Sequence, residues 1–271
     1  MSSSADRPIA MFDSGFGGLT VARALIDLAP CEDLVYFGDT GRYPYGPRSQ
    51  AEVRDFAHQI TDWMVDRYDP KLIVVACNTA TAVALDELQA RIAVPVVGVV
   101  EPGLRSVLAV TETHRVGVIG TVGTVASGAY QRAAAAAAPQ VELTCAACPG
   151  FVEFVERGET DSEQVRVLAQ RLLAPVIDAK VDALLLGCTH YPFLARTIGE
   201  VMGRDVVLVS SADETAFAVT SALATSGAAT TATEPGRHLF VSSGDVESFA
   251  RLGRRLLGPE LDHVVAHRWE G

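Results

Sequence analysis

The chain has 271 residues, is 49% apolar and carries a formal charge of −11. That length holds one large domain or two modest ones with an ample core, and the acidic balance argues against direct binding to nucleic acid or to an anionic membrane. The apolar runs fall well short of the ~20 residues that span a bilayer, and Met1–Asp6 is polar, without the basic start and apolar stretch of a secretory leader. The expected compartment is the cytoplasm, with disorder only in Met1–Arg7.

Short β-branched runs alternate with longer helical patterns along the chain, which predicts parallel βαβ units. The first predicted strand, Ile9–Phe12, ends on DSGFGGLT, and a helix over Leu19–Leu28 follows. Glycines at such a turn let backbone N–H groups approach a ligand, and the helix N-terminus attracts an anion. The spacing is not GxGxxG, which disfavours a dinucleotide site. The plain alternative is a tight turn with Asp13 or Ser14 capping the helix.

A strand over Leu34–Gly38 runs into GDTGRYPYGP, a rigid loop that either lines a pocket with Tyr45 and the Gly46 backbone or merely connects. After a helix over Ala51–Arg67, the strand Leu72–Ala76 ends on Cys77-Asn78-Thr79, and a helix runs over Thr79–Arg91. A thiol between a strand end and a helix start feels a dipole that favours thiolate. Asn78 or Thr79 can cap the helix or donate to a carboxylate. A buried structural cysteine is the competing reading.

Strands over Val94–Val99 and Val116–Gly120 come next, the second ending on Thr121, and a helix over Ser127–Ala137 takes up the alanine-rich run. Cys145 and Cys148 form a CxxC with no second pair or nearby histidine to complete a zinc set. In FVEFVERG, Glu153 and Glu156 share one face if the segment is helical. A helix over Ser162–Leu173 leads to the strand Ala183–Leu186, which stops at Gly187 and presents Cys188-Thr189-His190. There His190 can poise the thiol or move a proton. A strand over Val206–Val209, a helix over Glu214–Thr225, a surface loop over Thr225–Pro235 and a helix over Val246–Leu257 complete the chain. The remaining histidines, His58, His114, His238, His263 and His267, read as surface or capping residues.

The five cysteines are odd in number and irregular in spacing, so working thiols are expected rather than a disulfide framework. Two of them repeat a pattern. Cys77 follows the strand-end Asp13 at nearly the interval at which Cys188 follows the strand-end Thr121, and each thiol precedes a polar pair. Ligands of open α/β sheets bind beyond the carboxyl ends of the strands, which makes Asp13, Cys77, Thr121 and Cys188 site candidates. Two α/β halves, each carrying one thiol toward a shared cleft, are the expected arrangement.

Two thiols on opposite faces of one carbon suit a two-base reaction: a thiolate removes the proton from one side and a thiol returns one from the other. Pyridoxal phosphate, the usual aid to such chemistry, needs a Schiff-base lysine. The only lysines, Lys71 and Lys180, stand at the beginnings of the strands whose far ends carry the cysteines. Fixed dipoles from Ser14, Asn78, Thr79 and Thr189 would then hold the carboxylate and the developing charge.

DSGFGGLT, GDTGRYPYG, ACNTAT and LGCTHYP, in this order and spacing, resemble glutamate racemase, of the cofactor-independent aspartate/glutamate racemase superfamily. The resemblance implies an α/β fold of two pseudo-symmetric domains, each a mostly parallel sheet flanked by helices, with glutamate bound in the cleft between them. Residues 1–100 with 211–271 would form the first domain and 101–210 the second. It implies Cys77 as the acid/base thiol for D-glutamate, assisted by Asp13, and Cys188 for L-glutamate, assisted by His190. Glu156 matches the family's assisting glutamate, although Glu153 stands where the family often has proline. Asp13-Ser14, Tyr45-Gly46, Asn78-Thr79 and Thr189-His190 match the substrate-binding pairs, and Thr121 joins them as a strand-end candidate. The resemblance further implies no metal or organic cofactor, a role in supplying D-glutamate for peptidoglycan, and a homodimer. Competing readings are a racemase of aspartate or another small acid, a thiol hydrolase using one cysteine with His190, and a DNA gyrase-binding role of the kind some members have.

Overall fold

The computed structural model describes residues 4–261 and 263–269. Residues 1–3, part of the segment in which disorder is expected, lie outside them, and Ser4–Asp6 forms a short 3-10 helix. The chain packs as two compact units, Met1–Val99 with Ala212–Gly271 and Val100–Ser211.

The first unit begins with β1 (Ile9–Asp13), α1 (Leu19–Leu28), β2 (Leu34–Gly38), α2 (Gln50–Tyr68), β3 (Leu72–Val75), α3 (Asn78–Arg91) and β4 (Val96–Gly98). The second comprises α4 (Val100–Val110), β5 (Arg115–Gly120), α5 (Val122–Ala126), α6 (Ala129–Ala137), β6 (Glu142–Ala147), α7 (Phe151–Arg157), α8 (Glu163–Leu172), α9 (Ala174–Asp178), β7 (Ala183–Gly187), α10 (Ala195–Met202) and β8 (Val207–Val209). The chain then completes the first unit with α11 (Ala212–Ser226), β9 (His238–Ser242), α12 (Val246–Leu257) and β10 (Val264–Ala266).

Both sheets are parallel throughout. The first has the order β10-β9-β2-β1-β3-β4 and the second β6-β5-β7-β8. Within the first sheet, β2-β1-β3-β4 repeats the order of the second with every strand number lowered by four. The faint duplication in the sequence is therefore a duplication of topology: β1 and β3, which carry Asp13 and Cys77, correspond to β5 and β7, which carry Thr121 and Cys188.

Side chains alternate across each sheet. In the first unit Ile9, Met11, Tyr36 and Val74 pack with Leu19 and Leu25 of α1, Val219 and Leu223 of α11 and Phe249 of α12. Ala10, Phe12, Phe37 and Val75 pack on the other face with Val53, Ile60 and Met64 of α2 and Ala84 and Leu88 of α3. In the second unit Ile119, Leu184 and Leu186 meet α7, α8 and α10, while Val116, Val118 and Leu185 meet α4 and α6. Covered on both faces, β1, β2, β3 and β7 are buried at every residue, which is why they read as unbroken apolar runs.

The structure adds β6, β9 and β10 to the predicted strands, and α4, α7, α9 and α10 to the predicted helices. The helix expected over Ser127–Ala137 is α6, which starts at Ala129 after Gly128, whose φ of 70° belongs to the left-handed region, and the short α5 before it is a further addition. Among the described residues no helix is long and apolar enough to cross a membrane.

Candidate active site

In the first unit the candidate residues gather at the carboxyl ends of β1, β2 and β3. Asp13 is fully buried, and its carboxylate accepts the Gly15 N–H at 2.9 Å. The alternative in which Asp13 or Ser14 caps α1 does not hold: that helix has Gly18 at its N-cap and no side-chain cap bond there. A Cβ on Gly18 would fall 2.6 Å from the Asp13 Cβ and 3.0 Å from the Ala76 Cβ, so this glycine allows α1 to approach both strand ends. The buried Tyr36 hydroxyl donates to the Gly15 carbonyl at 3.1 Å and closes the turn from behind.

Cys77 is the N-cap residue of α3, again without a side-chain cap bond, and Asn78 and Thr79 are the first residues of the helix rather than its cap position. All three are buried. Burial, with the Asp13 carboxylate as the second cause, pushes the Cys77 thiol up to about 11. The Ala80 N–H and the Ser14 hydroxyl and N–H pull the other way and favour its thiolate. Asp13, Ser14 and Cys77 thus form one cluster in which a buried sulfur has a carboxylate beside it and donors aimed at it.

Tyr45 is buried too, and its hydroxyl donates to Asp39. What Tyr45-Gly46 can offer a ligand is therefore backbone rather than the phenol. Asp39 is not among the residues that the sequence motifs single out. The available signal was its place one residue past β2, whose last residue Gly38 pairs with Asp13; the Asp39 N–H donates to the Asp13 carbonyl at 3.0 Å.

In the second unit β5 and β7 end in register, Gly120 opposite Gly187. Thr121 and Cys188 leave from these neighbouring ends. Thr121 caps α5, its hydroxyl accepting the Thr124 N–H at 3.2 Å. Cys188, Thr189 and His190 are buried. The Tyr191 N–H returns to the Cys188 carbonyl at 3.0 Å, tightening the turn, and the Tyr191 hydroxyl donates to the Cys148 carbonyl at 3.0 Å. Thr189 Oγ1 lies 3.5 Å from His190 Nδ1. Burial lowers His190 to about 4, so the imidazole is neutral at physiological pH. Glu156 is half-buried on α7 while Glu153 is exposed. Their helix is held to the turn after Cys188 by the edge-on contact of Phe151 with Tyr191, 5.3 Å between ring centres.

All five cysteines are free thiols. Burial pushes Cys145 to about 11 and Cys148 to about 12, which makes them poor nucleophiles. Lys71 and Lys180 precede β3 and β7 at the ends opposite the cysteines. Lys71 is buried against Glu32, with Nζ–Oε2 at 2.5 Å. His267 departs from its reading as a surface or capping residue: its ring packs 4.5 Å from Trp63 and 4.4 Å from Trp269.

The Asp/Glu/hydantoin racemase family model matches residues 20–219, a span that includes Cys77 and Cys188. The glutamate racemase of Acidothermus cellulolyticus is 52% identical over 259 residues, covering 95% of this chain and 98% of its own. Among solved structures, a glutamate racemase of Bacillus anthracis superposes with a TM-score of 0.91 at 37% identity, covering 98% of both chains. That of Francisella tularensis, in complex with D-glutamate, superposes with a TM-score of 0.90 at 33% identity, covering 97% of this chain and 98% of its own.

Proposed function

The chain belongs to the Asp/Glu/hydantoin racemase family as one of its glutamate racemases, and we propose that it moves the α-proton of glutamate with two thiols and no organic cofactor. Cys77 serves the face of the α-carbon from which D-glutamate is deprotonated, and Cys188 the face for L-glutamate. The observation that carries this reading is the repeated placement of a buried thiol at the end of corresponding strands in two sheets of the same order.

Starting from L-glutamate, the Cys188 thiolate takes the α-proton. The C–H bond breaks and its electron pair stays on the substrate as a carbanion conjugated with the carboxylate. The Cys77 thiol then gives its proton to the opposite face, leaving Cys77 as thiolate and D-glutamate as product. Nothing is oxidised or reduced. The reverse direction exchanges the two roles. A Cys77 raised to about 11 is a thiol at rest, the form needed to donate; when it must act as base, the Asp13 carboxylate beside it accepts the thiol proton. Neutral His190 does the same for Cys188. Each positioned acid or base contributes ~10²–10⁴ in rate. Ser14, Asn78, Thr79 and Thr189, with the Gly46 backbone, bind the substrate's polar groups, and fixed dipoles in a dry site stabilise the charge that develops. Glu156 assists from α7, and Thr121 supports the binding site from the end of β5.

The product supplies D-glutamate for peptidoglycan, and a homodimer in the cytoplasm is the expected form. The test is racemisation of L-glutamate in D₂O with no added cofactor, following optical rotation and deuterium at the α-carbon. Deuterium entry accompanying loss of rotation supports the reading. Racemisation that requires added pyridoxal phosphate, or that proceeds without solvent deuterium, removes it. Aspartate serves as the parallel substrate, and racemisation of aspartate in preference to glutamate would reassign the substrate.

A further inference from the structure

Asp39 is a carboxylate of zero exposure on which four donors converge. Ser243 Oγ reaches Oδ1 at 2.6 Å and Trp269 Nε1 reaches Oδ1 at 2.9 Å. Arg42 Nε reaches Oδ2 at 2.7 Å, and the Tyr45 hydroxyl donates to the same oxygen. A carboxylate has about four lone-pair positions, so its accepting capacity is filled by groups that hold the chain in place. Its own N–H is bonded to the Asp13 carbonyl. Asp39 therefore ties the cluster around Cys77 to the loop Gly38–Pro47.

Two of these ties come from late in the chain. The Arg42 guanidinium lies between two rings, 4.2 Å from the centre of Phe56 and 4.0 Å from that of Trp269. Trp269 thus contributes twice, an N–H to Asp39 and an aromatic face to Arg42. Its approach is fixed by the His267 N–H, which donates to the Ser242 carbonyl at 2.8 Å, and by the ring of His267, which meets Trp63 at a tilt and Trp269 edge-on.

We propose that Trp269 is a positioning residue for the substrate-binding loop: through Asp39 and Arg42 it holds Tyr45-Gly46 in the geometry that receives glutamate. This rests on the reading of Tyr45-Gly46 as a substrate-binding pair. Trp269 touches no reacting atom, so its removal weakens binding of substrate and transition state alike, which appears in KM rather than in kcat. L- and D-glutamate are equal in free energy in water, so kcat/KM must fall by one factor in both directions.

The experiment measures kcat and KM in both directions for the full chain and for Trp269→Ala, Trp269→Phe, Tyr45→Phe and the Tyr45→Phe/Trp269→Phe double variant. Trp269→Ala is expected to raise KM for both enantiomers about tenfold, as loss of a hydrogen bond to a buried charge would, with kcat changed by less than about twofold. Trp269→Phe keeps the face over Arg42 and lies between; it also carries the test if the alanine variant does not fold. Because Tyr45 and Trp269 act through one carboxylate, their effects are expected to be non-additive, with Trp269→Phe raising KM less in the Tyr45→Phe background. Unchanged KM in a folded Trp269 variant, a loss confined to kcat, or full additivity with Tyr45→Phe overturns the proposal. Unchanged KM in Tyr45→Phe overturns it too, since the phenol's bond to Asp39 is the tie it invokes. The reading of the loop on which it rests is tested by Gly46→Pro, which removes the Gly46 backbone N–H: unchanged KM there overturns that reading instead.

Discussion

Gly120 and Gly187 face each other across β5 and β7, and a Cβ on Gly187 would stand 2.8 Å from the Ile119 carbonyl oxygen. That neighbour is backbone in a central strand and cannot move aside as a side-chain tip could. Gly187→Ala is expected to push apart the strand ends from which Thr121 and Cys188 emerge. Overpacking of this kind costs about 1–3 kcal/mol. Urea unfolding reads the stability loss, and racemisation below the melting temperature should fall with it. A variant with native stability and rate would show that the two ends are not constrained as described.

Cys77→Ser and Cys188→Ser should each lower racemisation by ~10²–10⁴, with the circular dichroism spectrum and melting temperature close to those of the parent. A serine hydroxyl nearly fills the volume of the thiol but ionises far less readily. Full activity in either variant would eliminate the two-thiol mechanism, whereas loss in Cys188→Ser alone would favour single-thiol chemistry.

Cys77 should resist alkylation at neutral pH. A thiol raised to about 11 holds roughly a hundredth of the thiolate that an ordinary cysteine has near pH 8. Iodoacetamide labelling, read by peptide mass, is expected to climb through pH 9 and 10 without levelling off. A plateau below pH 8 would mean that the donors from Ser14 and Ala80 outweigh burial and the Asp13 charge.

The legible parts of the fold are those that lie deepest. β1, β2, β3 and β7 are covered on both faces, so their sequences are unbroken apolar runs whose ends point to Asp13, Cys77 and Cys188. The edge strand β6, Glu142–Ala147, is only partly covered, so ELTCAA mixes residue types and carries no strand pattern. β10 is three residues long and gives no periodicity at all. The capping alternatives at Asp13 or Ser14 and at Asn78 or Thr79 fail for a different reason: the N-cap positions fall on Gly18 and Cys77, a few residues later and one residue earlier than those side chains. Asp39 went unread because its partners Ser243 and Trp269 are some two hundred residues away in sequence, and no local pattern records such a meeting.

Lys71→Met should destabilise the first unit without altering the chemistry. Lys71 pairs with Glu32 where both are almost fully buried, and it also donates to the Ala5 carbonyl at 2.8 Å. The Glu32 carboxylate is further held by the Thr230 N–H at 2.8 Å. Removing the lysine leaves a buried carboxylate without its counter-charge, a change that typically costs 3–5 kcal/mol. Urea unfolding should show a loss of roughly that size, while the specific rate of folded protein stays at the parent value. A rate collapse in a variant that remains folded would implicate Lys71 in the reaction and reopen a Schiff-base mechanism.

His190 sets a sign for the response to acid. Its imidazole titrates at about 4 in the folded chain because burial disfavours the charged form, against about 6.5 unfolded. Between those values the unfolded chain binds the extra proton, so stability rises with pH. The contribution is complete above about pH 6.5 and is lost as pH falls through 4, about 3 kcal/mol in all. His238 and His267 are lowered by burial as well and tilt the curve in the same direction. The diagnostic is therefore a difference: unfolding free energies of the parent and of His190→Gln, measured from pH 7 to pH 4.5. The parent should lose more stability over that range, and the gap between the curves should close toward low pH. Parallel curves would mean that His190 binds its proton equally readily folded and unfolded, and a parent that gains on the variant toward low pH would mean that the folded imidazole is charged; either result withdraws the neutral base assigned to the Cys188 side of the reaction.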